Sequence, residues 1–370
     1  MVYQWFPGHM TKTLRQIEEQ LKLIDLIIEI VDARIPASSR NPELNRLAGG
    51  RSRMVLFGKT DLADPVVTEK WMELYRSQGI YPYACDLRDS HALKKLTPVI
   101  REVCREKIER DRRKGIMNRP IRAMAAGIPN VGKSTFINSF SGSSSLKTGN
   151  KPGVTKGKQW IRISKEVELM DTPGLLWPKF EDQSVGLKIA LIGSMPDTIL
   201  NTEELSLELI HVLAERYEGA LASRYGIDES GLAENERLGG IEGRDGVDVC
   251  DDGDACDGGN VRDGRDGRDG VDACDGADVR VGRDGVDACD GVDVRVGRDG
   301  VDACDGVDGG DSKRNHMAAI GVLTEIAKNR GCLKKGGEPD TEKAALLLLD
   351  DFRSGRLGRM SLESPEEMAK

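Results

Sequence analysis

The chain has 370 residues, with 54 Lys and Arg against 62 Asp and Glu and only 4% aromatic residues. That length suits two or three domains with a sizeable core. The overall charge of −8 argues against a nucleic-acid partner, but residues 243–311 alone carry 21 Asp and 8 Arg with no Lys or Glu, which is −13 and leaves +5 elsewhere. The body outside that segment is therefore mildly basic and compatible with a polyanionic partner. No apolar run reaches the roughly 18 residues of a membrane span, so no membrane partner is expected. Five of the eight cysteines fall in the acidic segment, and Cys85, Cys104 and Cys332 are scattered. They form no disulfide framework, and a reducing cytoplasmic location is expected. No leader or transit peptide is evident at the start of the chain.

The chain opens on Gln4-Trp5-Phe6-Pro7-Gly8-His9-Met10, followed by Leu14, Ile17, Leu21 and Ile24 at helical spacing. On its residues alone, His9 reads as a surface or packing side chain. Leu26-Ile27-Ile28-Glu29-Ile30-Val31 predicts a buried strand. It runs into Asp32-Ala33-Arg34-Ile35-Pro36, a loop rich in groups able to bond phosphates or RNA. A second strand over residues 54–57 leads to Gly58-Lys59-Thr60-Asp61, then a helix through Trp71 and Leu74, then a third strand near residues 80–85. Alternating strands and helices imply a parallel, doubly wound sheet with its ligand site at the carboxyl ends of the strands. Lys107, Arg110, Arg112, Arg113, Lys114, Arg119 and Arg122 make a basic run that suits either a solvated helix face or a nucleic-acid patch.

Residues 121–126 form another apolar strand, and Gly127-Ile128-Pro129-Asn130-Val131-Gly132-Lys133-Ser134-Thr135 follows it. Two glycines separated by four residues and followed by Lys-Ser form the phosphate-binding loop pattern. The glycines allow a tight turn, so that backbone N–H groups and the next helix's N-terminus face phosphate oxygens. Lys133 would reach the β- and γ-phosphates, and the Ser134 hydroxyl would bind magnesium. Phe136, Ile137 and Phe140 supply the helix that the pattern requires.

Lys151-Pro152-Gly153-Val154-Thr155 and the strand-terminal Asp171-Thr172-Pro173-Gly174 come next. Together with the loop they describe a nucleotide switch: Asp171 on magnesium, the Gly174 N–H on the γ-phosphate, and Thr155 closing over the metal while that phosphate is present. Asp61 can accept both N–H donors of guanine, which adenine lacks. This favours a GTP-binding and GTP-hydrolysing switch, with a P-loop ATPase or kinase as an alternative that Asp61 and the Asp171–Gly174 element argue against. The base-reading element precedes the phosphate loop, so the motif order is rotated.

In that order the motifs resemble the circularly permuted GTPases, and in particular the ribosome biogenesis GTPase A family. The resemblance covers residues 1 to about 230 and about 317 to 362. Further matching residues are Ser39-Arg40-Asn41-Pro42, Trp177-Pro178-Lys179-Phe180-Glu181 and Arg330-Gly331-Cys332-Leu333. It implies a P-loop GTPase of α/β class with permuted motif order, followed by a small all-α C-terminal domain. The implied function is assembly of the large ribosomal subunit with binding of its ribosomal RNA, by a monomer that hydrolyses GTP slowly until the subunit stimulates it. It further implies nucleotide contacts from Lys59, Asp61, Asn130, Val131, Gly132, Lys133, Ser134, Thr135 and Gly174, and magnesium at Ser134, Thr155 and Asp171. An activating potassium ion at Asn130 belongs to the same implication. Leu175 stands where many GTPases have a water-orienting glutamine, which makes His9 a candidate for positioning water, alongside Thr155 and Gly174.

Two departures stand out. Gly58 replaces the expected Asn of the base-reading element, and Cys85-Asp86-Leu87-Arg88 is a poor counterpart of the fifth guanosine motif. Weakened GTP binding is expected, and Gly58→Asn is expected to tighten it. That weakening also leaves room for an alternative, a nucleotide-binding RNA scaffold without turnover. The second departure is the acidic segment, where Arg-Asp-Gly-Val-Asp-Ala-Cys-Asp-Gly recurs at Arg268, Arg283 and Arg298. Its composition predicts disorder, and it lacks the glycine pairs of calcium-binding repeats and any Cys-x2-Cys metal pair. The expected organisation is a permuted GTPase domain over 1–178, the C-terminal helices over 179–232 and 316–370, and the insertion over 233–315.

Overall fold

Leu26–Asp32 (β1) buries all seven of its residues, because Leu, Ile and Val line both of its faces and leave no side for water. The computed structural model describes residues 3, 9–142, 160–177, 180–229 and 309–369. The remaining strands are Ser52–Gly58 (β2), Tyr81–Ala84 (β3), Ile121–Ala126 (β4), Trp160–Arg162 (β5) and Val167–Asp171 (β6), in the spatial order β3-β2-β1-β4-β6-β5. β1 pairs in parallel with β2 and β4, β2 with β3, and β4 with β6. The sheet is not wholly parallel as predicted, because β5 pairs antiparallel with β6 at the edge.

Strand order runs one way from β1 to β3 and the other way from β4 to β5. The reversal falls between β1 and β4, where a doubly wound sheet opens a crevice at its carboxyl edge. The loops after β1, β2, β4 and β6 all leave from that edge. Rotating the order of elements along the chain leaves their convergence unchanged, which is the physical basis for tolerating permutation.

The helices around the sheet are His9–Leu21 (α1), Pro42–Ala48 (α2), Pro65–Ser77 (α3), Ser90–Lys94 (α4), Leu96–Val103 (α5), Arg105–Arg113 (α6) and Lys133–Ser141 (α7). Local chemistry sets several starts. Asp64 caps α3 by accepting from the Val66 and Val67 N–H groups, and Asn41 caps α2 through the Glu43 N–H. Trp71 is fully buried from α3, against Tyr75 and the β2 residue Phe57.

Gln183–Leu191 (α8), Thr202–Arg216 (α9), Ala220–Tyr225 (α10), Gly309–Asn329 (α11) and Thr341–Arg353 (α12) follow. α9, α11 and α12 pack on one another through Leu209, Leu213, Leu323, Ile326, Leu348 and Leu349, all of which are buried. The described residues of 1–240 and 309–370 form one compact unit. The repeats at Arg268, Arg283 and Arg298 lie outside the described residues.

Candidate nucleotide-binding site

β4 ends at Ala126, and the chain then turns through Gly127 at φ 154°, Asn130 at φ 62° and Gly132 at φ 100° before α7 begins at Lys133. Gly127 is required by its surroundings, since a Cβ there would lie 2.4 Å from the Ile30 carbonyl oxygen of β1. The loop leaving β4 can thus pass this close to β1 only because this residue lacks a side chain. Ile128 and Val131 are buried beneath the loop, and Phe136 and Phe140 stack at 5.3 Å to anchor α7.

Lys133 is buried, and its Nζ donates to the Gly127 and Ile128 carbonyls at 3.0 and 2.6 Å. Burial pulls its pKa down to about 8, against the opposing pull of the nearby Asp171 carboxylate. Asp171 is the last residue of β6, in register with Ala125 of β4, and Thr172 donates to the Ala125 carbonyl at 2.7 Å. Gly174 closes on the same point: a Cβ there would meet Pro129 Cα at 2.8 Å and Lys133 Nζ at 3.1 Å. The Asp-Thr-Pro-Gly turn is locked to the phosphate loop because the Leu175 N–H donates to the Gly127 carbonyl at 3.2 Å. Asn41 Nδ2 in turn donates to the Leu175 carbonyl at 3.0 Å, and Leu175 itself is buried.

This donor set fits magnesium. A buried carboxylate at Asp171 and a hydroxyl at Ser134, on neighbouring chain ends, are hard oxygen ligands beside a phosphate cradle. Among the described residues no group of three or more His, Cys, Asp or Glu forms a metal cage. A metal held by one carboxylate, one hydroxyl and the nucleotide's own phosphates needs none.

The base-reading end is built differently. Gly58 ends β2, and a Cβ on it would meet Leu87 Cδ1 at 2.7 Å and the Val131 carbonyl oxygen at 2.9 Å. Leu87 also lies 3.1 Å from where a Cβ on Gly132 would sit. The buried Leu87 side chain therefore occupies the space between the base-reading strand and the phosphate loop. This reverses the expectation for Gly58→Asn: the added side chain would collide with backbone of the phosphate loop before it could bond it. Asp61 is on the surface, and its Oδ2 accepts from Arg88 Nη2 at 2.8 Å, while Arg88 also pairs with Asp86 at 2.9 Å. The poor fifth motif thus supplies the two residues that finish this end of the site.

Lys59, at φ 54°, pairs its ammonium with the end of β1. It lies 3.0 Å from Asp32 Oδ2, and Arg34 binds the same carboxylate through Nε and Nη2 at 2.9 and 2.8 Å. Burial opposes charge on Asp32, but Arg34 and Lys59 outweigh it and hold the carboxyl well below its usual range. Burial likewise lowers the Lys59 pKa. Asp32 and Arg34 are both buried, with the Arg34 guanidinium 5.3 Å over the Phe352 ring of α12. The loop predicted to offer groups to phosphate or RNA therefore spends them on the protein's own interior.

The C-terminal segment completes this packing, which no local sequence signal announced. Glu363 is buried and accepts from the Ala37 and Ser38 N–H groups and from Ser38 Oγ. Arg359 donates to the Thr60 and Ala63 carbonyls at 2.8 and 2.9 Å, and the Met360 N–H to the Leu62 carbonyl at 2.8 Å. The loop carrying Asp61 is thereby strapped from outside by residues about three hundred positions away. Beside the phosphate loop, Asn130 Nδ2 donates to the Gly193 carbonyl at 2.7 Å and Ser194 Oγ to the Pro129 carbonyl at 2.7 Å. Arg353 of α12 braces that junction through the Ala190 and Leu191 carbonyls and Asp197, each at 2.9 Å.

Of the predicted residues, Asn130, Val131, Gly132, Lys133, Ser134 and Thr135 lie in the phosphate loop and the start of α7, Asp171 and Gly174 lie on the turn packed against it, and Lys59 and Asp61 lie in the loop after β2. Thr155 and the side chain of His9 lie outside the described residues.

The profile of the 50S ribosome-binding GTPase family matches residues 122–224. That stretch holds the phosphate loop and Asp171 to Gly174 and leaves out the earlier base-reading element. The chain is 48% identical over 230 residues to the Ribosome biogenesis GTPase A of Priestia megaterium, covering 62% of this chain and 80% of that protein. It is 34% identical to the Bacillus cereus protein of that name over 370 residues, covering 100% of this chain and 96% of the relative. The Mitochondrial ribosome-associated GTPase 1 of Xenopus tropicalis is 32% identical over 62% of this chain and 75% of its own length. Among solved structures, GDP-bound YlqF shares the fold, with a TM-score of 0.52 at 21% identity over 95% of this chain and 100% of that one. With a rotated motif order, a built phosphate cradle and a relative matched along its whole length, this chain belongs to the ribosome biogenesis GTPase A family.

Proposed function

We propose that this GTPase works as a γ-phosphate-dependent switch in assembly of the large ribosomal subunit, binding ribosomal RNA and transmitting its nucleotide state through the C-terminal helices. The observation that carries the reading is the direct bonding of Asn130 and Pro129, within the phosphate loop, to Gly193 and Ser194 at the end of α8. A movement of the Gly174 turn on binding or losing the γ-phosphate would press on Pro129, which lies so near that a Cβ on Gly174 would overlap it, and so reach α8 and Arg353. In this reading the GTPase domain spans 1–178, and the helices of 179–232 and 316–370 form the output domain around the insertion at 233–315.

Magnesium would supply charge neutralisation between the β- and γ-phosphates, held by Ser134 and Asp171 with Thr155. Lys133 would exchange its two carbonyl partners for phosphate oxygens. The Gly174 N–H would meet the γ-phosphate, and Asp61 would accept from guanine. Because Asn130 Nδ2 is committed to Gly193, its Oδ1 is the atom left to face a potassium ion. His9 would position the attacking water. The protein is proposed to be a cytoplasmic monomer; none of the described helices is long and apolar enough to cross a membrane.

GTP turnover with and without purified large ribosomal subunits tests the proposal. Subunit-stimulated hydrolysis of GTP but not ATP is expected. GTP binding with no stimulated turnover would instead favour a scaffold role, and His9→Ala should lower stimulated turnover while sparing GTP binding.

A further inference from the structure

The edge of the sheet opposite the nucleotide site carries a cavity of about 560 Å³. It is bounded by the end of α6, the linker into β4, and the turn between β5 and β6. β4 has six residues, so the cavity and the phosphate loop are separated by roughly 20 Å of strand. Five exposed cations line it: Arg101, Arg112, Arg119, Arg162 and Lys165. Of the two carboxylates in its lining, Asp111 is buried and paired with the buried Lys107 at 3.1 Å, and the exposed Glu166 faces Arg101 at 3.4 Å. Asp25 binds Lys107 at 3.2 Å and Arg119 at 3.7 Å. The internal pairs thus account for Lys107 and for much of Arg101 and Arg119. Arg112, Arg162 and Lys165 remain as the excess of positive charge around one concavity.

Two further features distinguish this surface from an ordinary solvated basic helix. The linker beside the cations turns through Gly115 at φ 74° and Asn118 at φ 58°, and between those turns it presents Ile116 and Met117, 41% and 70% exposed. On the edge strand β5, level with Met170 and so one row nearer the nucleotide end than Arg162, Trp160 is 39% exposed with the Arg122 guanidinium 5.4 Å over its ring. Arg122, Glu168 and Arg162 form one cross-strand row through β4, β6 and β5, which joins the Trp160 shelf to the cavity. Grouped cations around a concavity, flanked by exposed apolar and aromatic surface, match a phosphodiester chain whose bases are unpaired and free to stack. An acidic peptide would use the cations but not the tryptophan shelf.

We infer that this cavity and the adjoining face of β5 form a binding site for single-stranded RNA, with phosphates at Arg112, Arg162 and Lys165 and a base stacked at Trp160. The inference deepens the proposed role by locating its RNA contact along β5, from the cavity at the amino ends of the strands to Trp160, outside the phosphate loop. It predicts that RNA and GTP bind together rather than in competition.

The test uses the full chain and a fluorescein-labelled uridine dodecamer, followed by anisotropy between 50 and 200 mM salt. Single-strand binding has a log–log salt slope of about −0.7 per neutralised phosphate. The double variant Arg112→Glu/Lys165→Glu should lose about tenfold or more in affinity at low salt and flatten the slope by about 1.4. Trp160→Ala should lose roughly tenfold without changing the slope, because stacking releases no counterions. GTP affinity should stay within about twofold in both variants, which also verifies that they fold. Wild-type RNA affinity and slope in the double variant would overturn the inference, and so would competition by polyglutamate as strong as by RNA. If RNA binding maps to this edge while large subunits leave GTP turnover unstimulated, the proposed function fails and the site stands.

Discussion

The two ends of the nucleotide site are built to different standards. At the phosphate end, Gly127, Gly174 and Lys133 fit so closely that a single Cβ would overlap backbone, and the polar groups are buried and bonded. At the base end, Asp61 is exposed and shared with Arg88, and an apolar side chain fills the gap beside Gly58. Buried, preorganised groups gain more from a charged ligand than exposed ones, whose interactions are screened by water. The phosphate end should therefore carry most of the affinity, and the base end mainly the preference for guanine.

Lys133→Ala attacks the stronger end. Hydrogen bonds to charged groups contribute about 1.5–3 kcal/mol each, so loss of two phosphate contacts should weaken GTP by at least about a hundredfold in a fluorescence titration. A loss under about fivefold would contradict the ranking.

Gly58→Asn tests the weaker end, where overpacking costs about 1–3 kcal/mol and should reduce GTP affinity roughly tenfold. Adding Leu87→Ala should recover only part of that loss, because it removes the Leu87 clash and leaves the one with the Val131 carbonyl oxygen. Tighter GTP in the single variant would show that the phosphate loop yields without cost, and that the resemblance, not the packing, is the better guide at this position.

The pH dependence separates the ends again. Phosphate favours the ammonium form of Lys133, whose pKa burial has lowered to about 8. Binding therefore takes up a proton above about pH 8, and affinity, full below it, should fall up to roughly tenfold between pH 7 and 9. Lys133→Ala should abolish that trend. Arg88→Ala should matter least: its pair with Asp61 is exposed, such pairs are worth about 0–1 kcal/mol, and GTP affinity should shift by less than about fivefold.

What was legible in the sequence was whatever depends on neighbours along the chain. The strands, the phosphate loop and the Asp171–Gly174 turn announce themselves because period-2 or continuous apolar runs and glycine spacing are local signals. β5 escaped, since three residues beginning with an exposed Trp carry no strand pattern. The Asp32 cluster was misread as available to ligands because nothing nearby shows that Lys59, Phe352 and Glu363 would close around that loop. The role of Leu87 escaped too, for its partners Gly58 and Gly132 are joined only by the fold. Permutation itself was readable, because the order of motifs is a one-dimensional fact.

The most direct test of this division is calorimetry of the intact protein with GTP, ATP and GMP in magnesium. Replacing guanine by adenine should cost affinity, and removing the β- and γ-phosphates should cost more. A larger loss for ATP than for GMP would contradict the account, placing the main binding energy on the base.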